Sequence, residues 1–241
     1  MARDKFRAEV SNAFIQALVK DGKPKKVDFY LDVYAPTIIE IISEKNDRRV
    51  YQNIFTINSD NRVSCTLQIS IYQFRTILWI NFLKILSRNN GFLLHSSAVS
   101  VDGNAFIFLG DSGAGKSTTA NLLKKFYPTL ADDNCVIKKE NNKFHLYSTP
   151  FPEKISWVRR DATSYDIGKV FFLKKADYFK TEKITNKDIV LKKFVKQGMT
   201  GEDVAPIMPF ILDFISNFDD FYYLYFAKDG DKLKDLLQKL K

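Results

Sequence analysis

The sequence predicts an α/β (α+β mixed) fold, a mixed sheet with helices preceded by a small β-rich N-terminal region, and three observations predict it. Short runs rich in Ile, Val, Phe and Tyr recur between polar turns over residues 26–70. "FIFLGDSGAGKSTTANLL", residues 106–123, passes from a buried-type strand through a glycine-rich turn into a helical pattern. The chain closes with the strand "FYYLYF" and a helix whose Leu233, Leu236, Leu237 and Leu240 recur at i, i+3, i+4, i+7.

Taken in order, residues 4–20 have helical periodicity that stops near Gly22 and Pro24. "KVDFYLDV", "PTIIEIIS", "YQNIFTIN" and "VSCTLQIS" follow, separated by turns such as "EKNDRR" and "NSDNR", a spacing that predicts an antiparallel meander. Residues 72–88 read as an amphipathic helix closed by "RNNG", and a soft boundary near 89–91 separates a first region, 1–90, from a second, 91–241. "FLLHSSAVSVDGNAFIFLG" reads as two strands joined by a turn at Asp102-Gly103. A helix over 115–127 puts Leu122, Leu123, Phe126 and Tyr127 on one face and exits at Pro128. "NCVIKK" and "KFHLYS" around "ENN" predict a hairpin, "KVFFLKK" a buried strand, and 185–196 and 206–217 helices.

Composition narrows the function classes. The 241 residues are 45% apolar and 27% charged, enough for one substantial core or a core with a small appended domain. Lys plus Arg number 37 against 28 Asp plus Glu, a surplus of nine that favours an anionic partner. The charges are scattered, and neither "KPKK" at 23–26 nor "LKKF" at 191–194 has the length or aromatic interleaving of a nucleic-acid stripe. Cys65 and Cys135 lack CxxC or His partners and read as reduced packing residues rather than a zinc site or disulfide. The N-terminus has no continuous apolar segment, and "FRTILWINFLKIL" is broken by Arg75, Asn81 and Lys84, so a cytoplasmic protein that does not engage membrane is expected. Oligomeric state is left open, with a homo-oligomer among the options.

Gly110-Asp111-Ser112-Gly113-Ala114-Gly115-Lys116-Ser117 fits GxxxxGK[ST], the Walker A form of the P-loop, at every fixed position. Glycines let consecutive backbone N–H groups curl around phosphate oxygens, and the helix beginning near Gly115 adds its positive end. Gly110 to Thr118 is therefore the candidate nucleotide-binding segment, with Lys116 on the β- and γ-phosphates and the Ser117 hydroxyl on Mg²⁺. A cradle does not name a reaction. "TNKDIV" fails as a guanine reader because Ile189 stands where Asp is needed, and "PTLADDNCV" has no Asp-Glu of a hydrolysing ATPase. It does supply Asp132-Asp133, fifteen and sixteen residues after Ser117. One such carboxylate can complete a metal shell while its neighbour accepts a proton from an attacking hydroxyl. His95, on the predicted strand before the P-loop strand, is placed to end near the same phosphates; His145 has no such context.

"LHSSAVSVDGNAFIFLGDSGAGKSTTANLL" followed by "LADD" resembles the nucleotide site of bacterial HPr serine kinase/phosphorylase and the smaller HPr kinase-related proteins. It is also similar to the core of ATP-dependent phosphoenolpyruvate carboxykinase, where a HxSA strand precedes the P-loop. The resemblance covers roughly residues 92–137. It implies a phosphoryl-transfer core with a mixed sheet, ATP and Mg²⁺ as cofactors, and Lys116, Asp132 and His95 as catalytic residues, with Ser117 and Asp133 on the metal, the two aspartates being interchangeable in these roles. A hydroxyl acceptor of serine type, in a protein, peptide or small molecule, is the implied partner besides nucleotide. The family's Glu-Ile-Arg-Gly signature is absent: the nearest counterpart, "WVRRDA", has Val158 in place of the glutamate. The rival expectation is a nucleotide-binding regulatory or scaffold protein that transfers nothing.

Overall fold

A computed structural model describes residues 30–34, 41–45, 48–51, 55–59, 62–66, 71–149, 151, 157–159, 163–198 and 205–240. The helix expected over 4–20 lies outside them, as does the side chain of Cys65. The chain divides into two compact units, Met1–Ile85 and Leu86–Lys241. No helix among the described residues is long and apolar enough to cross a membrane.

In the first unit, β1 (Tyr30–Tyr34), β5 (Arg62–Thr66) and β4 (Phe55–Ser59) form one sheet in that order. β2 (Ile41–Lys45) and β3 (Arg48–Tyr51) form a separate antiparallel pair. The expected meander is corrected here: β1 pairs β5 in parallel, and only β4 and β5 run antiparallel. A parallel pair needs a crossover of about a dozen residues or more, and the stretch holding β2 and β3 supplies it. Apolar alternation locates strands but leaves the choice of partner open. Helix α1 (Ile71–Arg88) follows and runs into the second unit.

The second unit is built on a sheet in the order β6 (Gly91–Leu94), β10 (Cys135–Glu140), β11 (Lys143–Ser148), β12 (Tyr165–Lys175), β8 (Asn104–Leu109), β7 (Ser97–Val101), β9 (Thr129–Ala131). β14 (Phe221–Phe226) pairs β12 in parallel and β13 (Lys180–Lys183) antiparallel. The sheet is mixed, as expected. Positive φ at Asp102 and Gly103 closes the β7–β8 hairpin, and at Asn141 and Asn142 the β10–β11 hairpin, both in the handedness that two-residue hairpins favour.

Alternation along β12 divides the core between the two faces of the sheet. Val170 and Phe172 join Ile107 and Leu109 under α3 (Lys187–Gly198) and α4 (Met208–Asn217), which contribute Val190, Phe194, Ile211 and Phe214. Phe171 and Leu173 join Phe106 and Phe108 under α2 (Lys116–Leu123) and α5 (Gly230–Gln238), through Leu123, Leu233 and Leu237.

Three local expectations are corrected. The run from Phe92 to Val101 is not one strand: β6 stops at Leu94, the chain passes through His95 and Ser96, and β7 starts at Ser97 with new neighbours, β8 and β9. The helix after the loop ends at Leu123 rather than Tyr127, because the Phe126 and Tyr127 amides both turn back to the Leu123 carbonyl ahead of Pro128. The "KVFFLKK" strand begins earlier, at Tyr165, with an irregularity between Ile167 and Lys169 where β8 takes over the pairing.

Candidate functional site

Strand directions decide where chemistry can gather. β8, β12 and β14 run parallel, so their C-terminal ends share one sheet edge. β7 is antiparallel to both β8 and β9, with Ser97 opposite Phe108 and Ala98 opposite Ala131. The start of β7 and the end of β9 therefore reach that same edge. His95 precedes β7, and Asp132-Asp133 follows β9.

The loop Gly110–Ser117 leaves the end of β8 there. Gly113 and Gly115 have φ of 78° and 107°, a region closed to most side chains, and a Cβ on Gly115 would also lie 3.0 Å from Phe226 Cζ. Ala114 N–H donates to the Asp111 carbonyl at 2.9 Å, and Thr119 N–H to Gly115 at 2.8 Å, which starts α2. Asp111, Ser112, Gly113 and Ser117 are exposed and Thr118 half-buried, so the cradle opens to solvent.

Lys116 is 8% exposed, and its Nζ donates to the Gly110 carbonyl at 2.7 Å, across the mouth of its own loop. Burial holds this ammonium below the ordinary lysine range, against the opposing charges of Asp133, Asp111 and Asp132. Ser97 Oγ donates to the Lys116 carbonyl at 2.9 Å, tying the first residue of β7 to the first turn of α2.

The two aspartates sit in different surroundings. Asp132 is buried at 7% exposure, whereas the Asp133 side chain is 42% exposed. His95 Nδ1 lies 3.4 Å from Asp133 Oδ1, and Asn134 Nδ2 donates to Asp133 Oδ2 at 3.3 Å. Ser96 N–H donates to the Asp133 carbonyl at 3.1 Å, and Ser96 Oγ lies 3.0 Å from the buried thiol of Cys135. The predicted residues His95, Lys116, Ser117, Asp132 and Asp133 are thus brought to one edge. His145 is elsewhere, with its Nδ1 2.9 Å from Oδ1 of Asp166, its cross-strand neighbour.

Val158 is buried, and the Arg159 amide beside it donates to the Thr129 carbonyl at 2.8 Å. The segment that would carry the signature glutamate thus runs beside β9 with an apolar side chain in its place. Among the described residues no group of three or more His, Cys, Asp or Glu side chains could hold a metal by itself. The groups at this edge that could ligate a divalent ion are the Ser117 hydroxyl and the aspartate carboxylates, with phosphate oxygens and water completing the shell, the usual habit of Mg²⁺.

Sequence reasoning missed Ser97 and Asn134, whose contributions depend on strand register and on a turn. It also missed Lys174, Lys175 and Lys193, which border the other side of the loop.

The family model for SynChlorMet cassette protein ScmC matches residues 62–189, which contain the loop, His95 and the aspartate pair. The chain belongs to the ScmC family. The chain is also similar to the HPr kinase/phosphorylase of Mycoplasmopsis pulmonis, at 28% identity over 128 residues, 52% of this chain. It spans only 41% of that curated relative's length. The solved structure of the Hpr(Ser) kinase/phosphatase from Coxiella burnetii aligns with 61% of the chain and 92% of its own, at 15% identity and a TM-score of 0.32. The resemblance to HPr kinase/phosphorylase noted in the sequence is borne out by the match to the Mycoplasmopsis pulmonis protein.

Proposed function

We propose that the protein is an ATP- and Mg²⁺-dependent kinase that transfers a phosphoryl group to a serine-type hydroxyl in a protein, peptide or small molecule. The observation that carries this reading is the arrival of a buried carboxylate, Asp132, and an exposed one, Asp133, at the sheet edge that holds the loop and Lys116. A site that only bound ATP·Mg²⁺ would need the cradle, the lysine and one carboxylate for the metal; the second carboxylate is what a proton acceptor adds.

In this reading the backbone amides from Gly110 to Thr118 hold the phosphates. Lys116 exchanges the Gly110 carbonyl for phosphate oxygen, keeping a hydrogen bond at Nζ in both states. Ser117 and Asp133 hold Mg²⁺, which when bound neutralises phosphate charge. Asp132 accepts the acceptor's proton while the new O–P bond forms and the bond to the departing ADP oxygen breaks. His95 and Asn134 keep the Asp133 carboxylate in place.

Val158 favours the rival reading, a nucleotide-binding scaffold, because it leaves apolar the position at which the related kinases carry an acidic group. Incubation of the purified chain with γ-labelled ATP, with and without lysate of its source, separates the two. Label on an acceptor supports the kinase; tight ATP binding with no labelled product replaces it with the scaffold.

A further inference from the structure

On the side of the loop away from the aspartates, a cleft of about 310 Å³ runs between the outer arc Asp111–Ala114 and the end of β12, with Lys193 of α3 on its wall. β12 outruns β8 here: Phe172 stands opposite Leu109, and Leu173, Lys174 and Lys175 continue alongside β14. Alternation puts Lys174 on the same face as Phe172, the face that α3 covers.

Lys193 Nζ lies 5.1 Å from the ring centre of Tyr223, and Lys174 Nζ lies 5.6 Å from the same ring. Two ammonium groups thus share one aromatic ring. Among the described residues, neither of them nor Lys175 is within ion-pair distance of a carboxylate. Other lysines of this unit are neutralised: Lys139 stands 2.6 Å from Asp213, Lys187 2.6 Å from Asp219, and Lys183 3.3 Å from Asp220. The one acidic residue of the cleft, Asp111, is 3.8 Å from a fourth lysine, Lys196. Burial and the like charges of Lys174 and Lys196 push Lys193 down, with Asp111 opposing. Three lysines face one aspartate in the lining, Lys193 half-buried and Lys174 and Lys175 exposed, while Lys196 beside the cleft already faces that aspartate; the lining lysines repel one another, and a bound anion would relieve that repulsion.

We propose that this cleft is an anion subsite distinct from the loop's own cradle, taking a phosphate or carboxylate group of a second ligand. The inference does not require that the loop transfer phosphate: one wall is the outer arc of the loop, Asp111–Ala114, but the cationic groups are Lys174, Lys175 and Lys193 rather than Lys116, and neither Asp132 nor Asp133 takes part. The anion is either free, as phosphate or pyrophosphate, or carried as an acidic group on a larger ligand.

The test is calorimetric titration of the full chain with inorganic pyrophosphate in a Lys116→Ala background, which weakens the cradle. Binding is expected to persist there, to fall at least about tenfold on adding Lys174→Gln and Lys193→Gln, and to return with Lys193→Arg, since charge rather than shape is recognised. Competition by a glutamate-flanked serine peptide, but not by its glutamine-flanked counterpart, would identify the anion as carried by a larger ligand; competition by neither would identify it as free. Loss of pyrophosphate binding with Lys116→Ala alone, or indifference to the two glutamines in a folded protein, overturns the proposal. So does a parallel tenfold loss of ATP·Mg²⁺ affinity when the glutamines are placed in the otherwise native chain, since the lysines would then belong to the nucleotide's own site.

Discussion

The two flanks of the phosphate loop carry opposite charge and are built in opposite ways. On the β7–β9 flank Asp132 is buried, and Asp133 is fixed by Asn134 and His95 on its carboxylate and by the Ser96 amide on its main-chain carbonyl. On the β12 flank, long and flexible lysines lean on the Tyr223 ring. A short side chain on a strand end fixes an atom closely, which suits chemistry at a reacting oxygen; a lysine on an aromatic face supplies charge with latitude in position, which suits recognition. The contrast predicts that single changes on the acidic flank alter rate steeply, while changes on the basic flank alter affinity.

The sharpest way to break this contrast is Asp132→Asn, which keeps shape but removes basicity. Phosphoryl transfer is expected to fall at least about 100-fold, within the range general-base catalysis supplies, while ATP·Mg²⁺ binding stays near native. Single-turnover kinetics alongside calorimetry would check both halves. Asp133→Asn should weaken metal-dependent binding as well. Should neither aspartate affect transfer, the acidic flank is not the reacting side.

Next in size is Lys116→Ala, which deletes a charge-assisted contact of about 1.5–3 kcal/mol, so nucleotide affinity should drop roughly 10- to 150-fold. Calorimetry showing unchanged ATP binding would remove the loop from the site. Titration reaches the same residue without mutation. Burial lowers the Lys116 pKa in the free protein, and phosphate prefers the charged form. Affinity should therefore be full below that lowered pKa and decline as pH rises through it, before the ordinary lysine value of 10.5. A decline that persists unchanged in Lys116→Ala would assign it to another group.

The flanks also differ in how far the sequence discloses them. The loop is legible because its backbone makes local demands: Gly115 must reach positive φ, and it is one of the fixed glycines of a motif of eight adjacent residues. His95 and the aspartates are legible because each lies close in sequence to a strand that ends at the loop. Lys174 and Lys193 lie on different elements and meet only because α3 packs on the β12 face through Val190 and Phe194, a contact no local pattern specifies. The same limit explains the N-terminal sheet, where alternation points to β1, β4 and β5 but not to the parallel β1–β5 pairing, and where β3, with Arg48 and Arg49, occupies part of the expected turn "EKNDRR". Likewise β13, "KTEK", has no apolar alternation and owes its pairing to β14.

The smallest expected effect tests how rigid the acidic flank is. His95 Nδ1 is 3.4 Å from Asp133, with the two side chains 27% and 42% exposed, so solvent screens the pair and its worth falls in the range of about 0–1 kcal/mol. Asp133 also keeps its bond from Asn134 Nδ2 and the Ser96 amide on its carbonyl when the imidazole is removed. His95→Gln should therefore change Mg²⁺-dependent ATP affinity by less than about fivefold, a factor that corresponds to roughly 1 kcal/mol. Calorimetry at fixed free Mg²⁺ reads this directly. A loss near a hundredfold in transfer, with affinity intact, would instead make His95 a member of the reacting set beside Asp132 rather than a support for Asp133.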